Sequence, residues 1–169
     1  MVIWLLGISG AGKSTLGNLL SEELKIRKIP SYLIDGDEVR SFFESDLGYS
    51  KEERIANIKR IIFGSYVLSR AGIFTIVCNI SPFEELRNFC RRKIPNYFQV
   101  YLKKSIDQSI RSDVKEVYKR NIGKTNIVGM DLQFEEPTEN DLVLEIDSLS
   151  IDQAIKFILT QLQLKGYLH

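Results

Sequence analysis

The stretch Val2-Ile3-Trp4-Leu5-Leu6 is followed directly by Gly7-Ile8-Ser9-Gly10-Ala11-Gly12-Lys13-Ser14-Thr15. The first part is a short apolar run typical of a buried strand, and the second fits the pattern G-x-x-x-x-G-K-[ST]. A helical pattern begins at Ser14, so the glycines lie between a strand and a helix. Glycines let consecutive N–H groups converge on an anion, and the helix N-terminus adds a partial positive charge. This order of elements predicts a phosphate-binding loop.

Lys13 and Ser14 carry the chemistry of such a loop. The Lys13 ammonium would reach the β- and γ-phosphates of a nucleotide, and the Ser14 hydroxyl would help to hold Mg²⁺. The alternative is a glycine-rich turn that binds nothing. We predict ATP and Mg²⁺ as cofactors. The nucleotide is expected to contact Gly7, Ser9, Gly10, Ala11, Gly12, Lys13, Ser14 and Thr15.

Short apolar runs alternate with longer amphipathic segments along the rest of the chain. We predict strands at residues 2–6, 31–34, 74–79, 98–102 and 142–146, and helices at residues 14–28, 51–71, 82–93, 105–118 and 151–164. Nearly continuous apolar strands are typical of a parallel sheet that is covered on both faces. The predicted fold is therefore α/β: a P-loop NTPase with a five-stranded parallel sheet flanked by helices on both faces, and with a lid.

Three serines mark predicted helix starts. Ser50, Ser81 and Ser150 each begin a Ser-x-x-Glu/Gln pattern, which is the signature of a capping box. Pro82 would then occupy a first helical position, where its missing N–H costs nothing. Gly166 is the expected end of the last helix.

Charge and length limit the classes of partner. The 169 residues fit one domain, and 23 basic residues nearly balance 22 acidic ones. That balance argues against nucleic acid or another large polyanion. No apolar run approaches the roughly 20 residues of a membrane span, and the first residues lack the basic region of a signal peptide. We predict a single domain at residues 1–169 that is cytoplasmic and does not contact a membrane, with Cys78 and Cys90 as a pair that could form a disulfide only in principle.

Residues 121–140 show no clear period, and a long irregular segment within a compact domain is usually a functional loop or lid. Basic residues precede and enter this segment: Arg111, Lys115, Lys119, Arg120 and Lys124. A basic lid can close over phosphates and neutralise charge in the transition state, whereas the alternative is a solvated helix face. We predict a lid at about residues 111–137 and a kinase that acts on a small molecule.

The segment Asp35-Gly36-Asp37-Glu38-Val39-Arg40 follows the second predicted strand. Ligands of open parallel sheets bind beyond the carboxyl ends of the strands, so we expect Asp37 near the phosphate loop. Its carboxylate could take a proton from an attacking hydroxyl or help to hold Mg²⁺, and Arg40 could bind a substrate phosphate. The alternatives are that Asp37 caps the next helix and that Arg40 is a surface residue.

Arg54 falls on the apolar arc of the helix predicted at residues 51–71, Asn57 lies at the edge of that arc, and Arg60 points away. Burying an arginine alone is costly, so Arg54 needs a phosphate-bearing ligand or a structural salt bridge. Ser81 follows the third predicted strand at the same sheet edge, where we expect its side chain to cap a helix.

The sequence resembles the adenylylsulfate kinase family from about residue 3 to residue 146. The blocks that carry the resemblance are residues 7–15, 35–40, 47–50, 54–60, 80–82, 113–118 and, in part, 129–135. The resemblance implies an enzyme that uses ATP and Mg²⁺ to phosphorylate the 3′-hydroxyl of a nucleotide, a phosphotransferase with an alcohol group as acceptor. Members are often dimers, so it also implies a homodimer.

The resemblance also implies roles for individual residues. Asp37 is the expected general base and metal helper, Tyr49 one side of a clamp on the base, and Lys115 a lid cation; Ser81 matches a serine that carries phosphate in some members. We predict catalytic roles for Asp37, Lys13 and Lys115, and metal binding by Ser14 and Asp37. The acceptor is expected to contact Asp35, Arg40, Tyr49, Arg54, Asn57, Ile80, Ser81, Lys115, Ile127 and Val128.

Several positions depart from the family pattern where the base would be read. The family usually has Arg in place of Ser112, Ala-Arg in place of Asn121-Ile122, Phe-Thr in place of Ile127-Val128, and Pro in place of Gln133. Losing an aromatic stack forfeits about 1–3 kcal/mol per base, although Ile127 could still pack on a purine. The altered pocket suggests a cytidine nucleotide such as cytidine diphosphoramidate, the acceptor of a relative on the route to phosphoramidate-decorated capsule.

Other functions stay open. The alternative acceptor is adenylylsulfate, with the product 3′-phosphoadenylylsulfate serving sulfate assimilation. A hypothesis of another class is a non-catalytic nucleotide-binding regulator, which predicts binding without turnover. A kinase for a sugar would not need the group formed by Arg40, Arg54 and Asn57.

Overall fold

A computed structural model describes residues 1–105, 107, 128 and 132–168. The strands are β1 (Val2–Leu6), β2 (Ser31–Asp35), β3 (Phe74–Cys78), β4 (Tyr97–Lys103) and β5 (Leu142–Glu145). The helices are α1 (Lys13–Ile26), α2 (Gly36–Phe42), α3 (Lys51–Arg70), α4 (Glu84–Lys93) and α5 (Ile151–Leu164). The five predicted strands are confirmed, with ends that differ by one residue at most. The helix predicted at residues 105–118 falls outside the described residues apart from 105 and 107, and the short α2 was not predicted as a separate helix.

The five strands form one parallel sheet in the order β2-β3-β1-β4-β5. In this register Cys78 of β3 pairs with both Leu5 of β1 and Asp35 of β2, so the carboxyl ends of these strands lie at one level. The chain passes from β1 to one edge of the sheet and then returns to the other side of β1 as β4. The segments that follow β1, β2 and β3 therefore meet at the edge formed by the carboxyl ends of the strands, beside the point where the strand order reverses.

The side chains of β1 alternate between two cores because successive strand residues point to opposite faces. Ile3 and Leu5 pack with α1 and α5 on one face. Val2, Trp4 and Leu6 pack with α3 and α4 on the other face. All five are buried, which explains why the strand has no polar position and confirms helices on both faces of the sheet.

Helix α1 packs directly against β3 at Gly17. A Cβ atom at Gly17 would be only 2.4 Å from Cys78 Sγ and 3.0 Å from Leu33 Cδ1. Cys78 Sγ in turn donates to the carbonyl of Lys13, 3.2 Å away. Gly17 therefore allows the first turns of α1, which carry the end of the phosphate loop, to rest directly on the sheet.

Two of the three predicted capping boxes are confirmed. Ser50 caps α3 and Ser150 caps α5, each with the reciprocal side-chain contact of the residue three positions on. Gly166 lies just beyond α5 with φ +73°, as expected for the end of a helix. The third prediction is wrong: α4 begins at Glu84, its N-cap residue is Phe83, and Ser81 and Pro82 precede the helix.

The two cysteines are free thiols in the described structure. Cys78 belongs to the core on the α1 face and Cys90 to the core on the α4 face, so the sheet separates them. Burial raises the pKa of Cys90 to about 12. None of the described helices is both long and apolar enough to cross a membrane.

Candidate functional site

The phosphate loop joins β1 to α1. Gly10 and Gly12 have φ values of +79° and +84°, a region that side chains with a Cβ rarely adopt. Gly12 is the N-cap residue of α1, and no side chain caps this helix. The first N–H groups of α1 consequently face the loop, which is the arrangement that binds phosphate at helix N-termini.

Lys13 folds back over this loop. Its Nζ donates to the carbonyl of Gly7 at 2.9 Å and to the carbonyl of Ile8 at 2.8 Å. A second lysine, Lys104 from the segment after β4, donates to the carbonyl of Gly10 at 3.0 Å. Both ammonium groups thus lie against the loop that is predicted to bind the phosphates of ATP.

Asp35 connects the phosphate loop with α2. Ser14 Oγ donates to Asp35 Oδ2 at 2.6 Å, and the Asp37 N–H donates to Asp35 Oδ1 at 2.9 Å. Asp35 is therefore the N-cap residue of α2, and Asp37 lies in the first turn of that helix. The alternative in which Asp37 caps the helix is wrong, and the carboxylate that contacts Ser14 is that of Asp35.

Asn57 of α3 lies directly behind this turn. Its side chain is 2% exposed, and Nδ2 donates to the carbonyl of Gly36 across 3.4 Å. Its Oδ1 is buried and has no hydrogen-bond partner among the described residues. Asn57 is thus a buried polar group beside α2, where sequence reasoning placed it only at the edge of the apolar arc.

Arg40, Tyr49 and Arg54 form a cluster at the same sheet edge. The Cζ atoms of Arg40 and Arg54 lie 4.6 and 5.1 Å from the centroid of the Tyr49 ring, which is 56% exposed. Arg40 donates to the carbonyls of Leu47 and Gly48 at 3.1 and 2.7 Å, so it is not a simple surface residue.

Arg54 completes this cluster from α3. Its Nε donates to the carbonyl of Tyr49 at 2.9 Å. Burial, and secondarily the charge of Arg40, lowers the pKa of Arg54. Two guanidinium groups held side by side repel each other, so an anion bound between them would stabilise the cluster.

Ser81 is held inside the protein. It is 1% exposed and has a φ value of +49°. Its Oγ accepts a hydrogen bond from Trp4 Nε1 at 2.8 Å and donates to Asn79 Oδ1 at 3.2 Å. These contacts explain why Ser81 does not cap α4, since its hydroxyl is already bonded to Trp4 of β1 and to Asn79, which directly follows β3. Ile80, which precedes it, is half-buried.

Arg87, like Lys104, is a residue at this edge that sequence reasoning missed. It is 3% exposed and donates to the carbonyls of Ser81 and Glu135, each at 2.7 Å. It also forms an ion pair with Glu84. Glu135 in turn accepts from the N–H of Glu84 at 2.5 Å and so supplies the cap that Ser81 was expected to supply. The sequence shows the nearby Glu84 but not the burial of Arg87, because the two carbonyl groups that it binds lie six and 48 residues away.

The remaining predicted site residues lie partly outside the described structure. Lys115 and Ile127 are not described, nor are the other basic residues of the predicted lid. Val128 is 3% exposed and forms an isolated parallel bridge with Leu132. A cavity of about 370 Å³ opens between α2 and α3, and its lining contains none of the predicted site residues.

The chain is similar to known proteins in both sequence and structure. The profile of the adenylylsulphate kinase family matches residues 1–145. The adenylyl-sulfate kinase of Gloeothece citriformis (strain PCC 7424) is 37% identical over 170 residues, which cover 99% of this chain and 97% of that protein.

Two solved structures extend the comparison. The Mycobacterium tuberculosis APS kinase in complex with AMPPNP and APS superimposes with a TM-score of 0.89 at 30% identity and covers 96% of both chains. The hexameric APS kinase from Thiobacillus denitrificans has a TM-score of 0.75 at 27% identity, and the match covers 99% of this chain and 29% of that one. The family profile over residues 1–145 and the two relatives that match over nearly their whole length show that this chain belongs to the adenylylsulfate kinase family of ATP-dependent P-loop kinases, phosphotransferases whose acceptor is an alcohol group.

Proposed function

We propose that the chain transfers the γ-phosphoryl group of ATP to the 3′-hydroxyl of adenylylsulfate. The observation that carries this choice of acceptor is the similarity to adenylyl-sulfate kinases over nearly the whole of both chains. The M. tuberculosis relative with a TM-score of 0.89 was solved with APS and AMPPNP bound, which supports the same pair of substrates here.

The donor side of the site fits ATP. The loop at residues 7–12 offers backbone N–H groups at the start of α1, and Lys13 and Lys104 supply positive charge beside them. In P-loop enzymes the loop backbone and its lysine hold the phosphates of the nucleotide by hydrogen bonds and charge. We assign the phosphates of ATP to this loop.

The same edge fits Mg²⁺. Ser14 Oγ and the carboxylate of Asp35 lie 2.6 Å apart, and Asp37 follows two residues later. Within the described part of the chain no group of three or more His, Cys, Asp or Glu side chains forms a metal cage. Mg²⁺ does not need one, because it is usually held by one or two carboxylates together with substrate phosphates and water. When bound, the ion neutralises charge on the transferred phosphoryl group.

Asp37 is the proposed general base. Its backbone N–H donates to Asp35, so the first turn of α2 fixes the position of the Asp37 backbone from which the side chain extends. A carboxylate at this point can accept the proton of the attacking 3′-hydroxyl, and proton transfer of this kind contributes about 10²–10⁴-fold to a rate. Lys115, which is not described, stays a predicted cation of the lid.

The cluster of Arg40, Tyr49 and Arg54 is the proposed binding site for the acceptor. The Tyr49 ring is exposed and can stack on a base, and the two guanidinium groups can bind the anionic phosphosulfate. Asn57 and Ser81 lie behind this cluster as buried polar groups. Their burial favours a role in shaping the pocket, and Ile80, Ile127 and Val128 stay predicted contacts of the base.

The cytidine acceptor suggested by the sequence is less well supported. The departures behind that hypothesis are at Ser112, Asn121, Ile122, Ile127, Val128 and Gln133, of which only Val128 and Gln133 are described. The similar proteins are adenylyl-sulfate kinases, and they favour the other acceptor. We therefore place cytidine diphosphoramidate, and with it a role in capsule synthesis, second to adenylylsulfate.

An ADP-release assay with the two acceptors side by side tests the proposal. We expect turnover with adenylylsulfate and a product phosphorylated at the 3′-position, with a kcat/KM at least tenfold below it for cytidine diphosphoramidate. The reverse preference would overturn the proposed acceptor. Absence of turnover with both acceptors would contradict the proposed function as a nucleotide kinase.

Asp37→Asn separates a kinase from a non-catalytic regulator. For a kinase we expect turnover to fall by about 10²–10⁴-fold while AMPPNP still binds. Glu38→Gln is the matched control, because Glu38 is the exposed neighbour of Asp37 on α2 and should retain activity. Equal behaviour of Asp37→Asn and wild type would favour the regulator.

The expected homodimer stays a prediction. One relative is a hexamer, and this chain corresponds to 29% of that longer chain. Light scattering coupled to gel filtration would measure the molar mass in solution and compare it with the 19.4 kDa of one chain.

A further inference from the structure

Lys104 lies where the end of β4 meets the phosphate loop. Strand β4 runs parallel to β1, with Leu6 opposite Tyr101, so the residues after both strands emerge side by side. Lys104 follows β4 directly, and its Nζ reaches the carbonyl of Gly10 at 3.0 Å. The contact joins residues 94 positions apart in the sequence, and it falls at the exposed tip of the loop.

Lys13 and Lys104 bind different carbonyl groups of the loop. Lys13 holds those of Gly7 and Ile8 at the base, and Lys104 holds that of Gly10 at the tip. The Gly10 carbonyl shares a rigid planar peptide group with the N–H of Ala11. The two point in opposite directions in a trans peptide. The Ala11 N–H points back into the loop and donates to the carbonyl of Ile8 at 3.3 Å, while Lys104 binds the other end of the same peptide group.

The orientation of these peptide groups decides how well the loop binds an anion. A phosphate loop works by presenting its N–H groups inward. Gly10 has φ +79° and no side chain, so the peptide group that follows it is held by the 3.3 Å bond from the Ala11 N–H and by the Lys104 contact. An ammonium group on the outward carbonyl stabilises the inward-facing arrangement. It also adds positive charge near the triphosphate.

We propose that Lys104 is a positioning residue of the ATP site, which holds the tip of the phosphate loop in its binding conformation and raises the affinity for the nucleotide triphosphate. The proposal concerns only the donor nucleotide. It is therefore the same whether the acceptor is adenylylsulfate or cytidine diphosphoramidate, and its test needs no acceptor.

Lys103 provides a matched control. It is the last residue of β4 and the direct neighbour of Lys104, but its ammonium lies 3.5 Å from carboxylate oxygens of Glu136 and Glu145. Successive residues of a strand point in opposite directions, which explains why two adjacent lysines reach different partners. Replacing either lysine with methionine removes one positive charge at adjacent positions of the sequence.

The test is the affinity for AMPPNP with Mg²⁺, measured by isothermal titration calorimetry on Lys104→Met, Lys104→Arg and Lys103→Met. We expect the Kd of Lys104→Met to rise about 5–20-fold, as for a partly exposed hydrogen bond to a charged group. Lys104→Arg should restore most of this loss, and Lys103→Met should stay within about twofold of wild type. Steady-state kinetics should show the Lys104→Met effect in KM for ATP, with kcat changed far less.

Two results would overturn the proposal. One is a Kd for Lys104→Met within twofold of wild type. The other is an equal loss in Lys103→Met, which would mean that general surface charge, and not the contact with Gly10, is responsible. Because AMPPNP binding is measured without an acceptor, failure of the proposed acceptor in the ADP-release assay would leave this result unaffected.

Discussion

The hydroxyl of Ser14 donates a 2.6 Å hydrogen bond to Asp35 Oδ2, and this contact joins the first turn of α1 to the first turn of α2. The other oxygen of the same carboxylate caps α2 through the N–H of Asp37. One aspartate thus sets the distance between the loop that binds the donor and the turn that carries the proposed base. The contact spans 21 residues of sequence and depends on the pairing of β2 with β3 and of β3 with β1.

Ser14→Ala should reduce catalysis through the metal. The variant removes both the proposed Mg²⁺ ligand and the partner of Asp35, and losses of this kind cost about 10–100-fold in metal affinity or activity. A Mg²⁺ titration of the ADP-release rate should show a higher half-saturation concentration. Ser14→Thr keeps the hydroxyl and should behave nearly as wild type. An unchanged Mg²⁺ dependence in Ser14→Ala would contradict the assignment.

Arg87→Met should destabilise the protein. Methionine matches the length of the side chain but leaves the carbonyls of Ser81 and Glu135 and the carboxylate of Glu84 without their donor. Removing one partner of a buried charged contact costs on the order of 3 kcal/mol in the free energy of unfolding. Urea denaturation measures this loss. Arg92→Met, on the exposed side of the same helix, is the control and should leave the midpoint nearly unchanged.

Gly17→Ala should also destabilise, although alanine favours helices. The gain in helix propensity is about 1 kcal/mol, whereas a Cβ 2.4 Å from Cys78 Sγ forces overpacking that costs about 1–3 kcal/mol. Gly64→Ala is the matched control in α3, since its Cβ would meet Ile34 Cδ1 at an ordinary 3.8 Å. We expect thermal unfolding at a lower temperature for Gly17→Ala and an unchanged or higher one for Gly64→Ala. A partial recovery in Gly17→Ala with Cys78→Ala would identify the contact.

Asp141 should make the stability dependent on acid pH. Burial alone would raise its pKa, but hydrogen bonds from the Gln99 N–H at 2.9 Å and from Lys165 at 3.1 Å, together with the charge of Arg91, hold the pKa below its ordinary 3.8. A lowered pKa stabilises the fold above pH 3.8, and this contribution is lost as the pH falls through the folded pKa.

Asp141→Asn removes that contribution. The difference in unfolding temperature between wild type and Asp141→Asn should therefore be largest above about pH 5 and should shrink as the pH falls below 4. Circular dichroism melts across this range measure it. A difference that is constant from neutral to acid pH would mean that packing, and not the charge of Asp141, produces the effect.

Much of the site could be predicted from local patterns, and the exceptions have one cause. Ser81 begins a capping-box sequence, yet its hydroxyl bonds to Trp4, 77 residues away, and Glu135 caps α4 instead. The contact of Asp35 with the acceptor stays a prediction, whereas its hydrogen bond with Ser14 was not predicted. Both contacts, of Ser81 with Trp4 and of Asp35 with Ser14, join residues that are distant in the sequence, so neighbouring residues give no signal for them.

The sequence by itself determined the strands, the phosphate loop and the caps at Ser50 and Ser150, because glycine conformation, apolar periodicity and capping depend on neighbours within a few residues. It also determined the family, since its motifs are short and contiguous. Only the tertiary structure decided the contacts of Ser14 with Asp35, of Arg87 with Glu135 and of Lys104 with Gly10. These pairs are set by the register of the parallel strands. Because parallel strands are joined by long crossovers, the paired residues are far apart in the sequence, and their neighbours do not indicate which residues will meet.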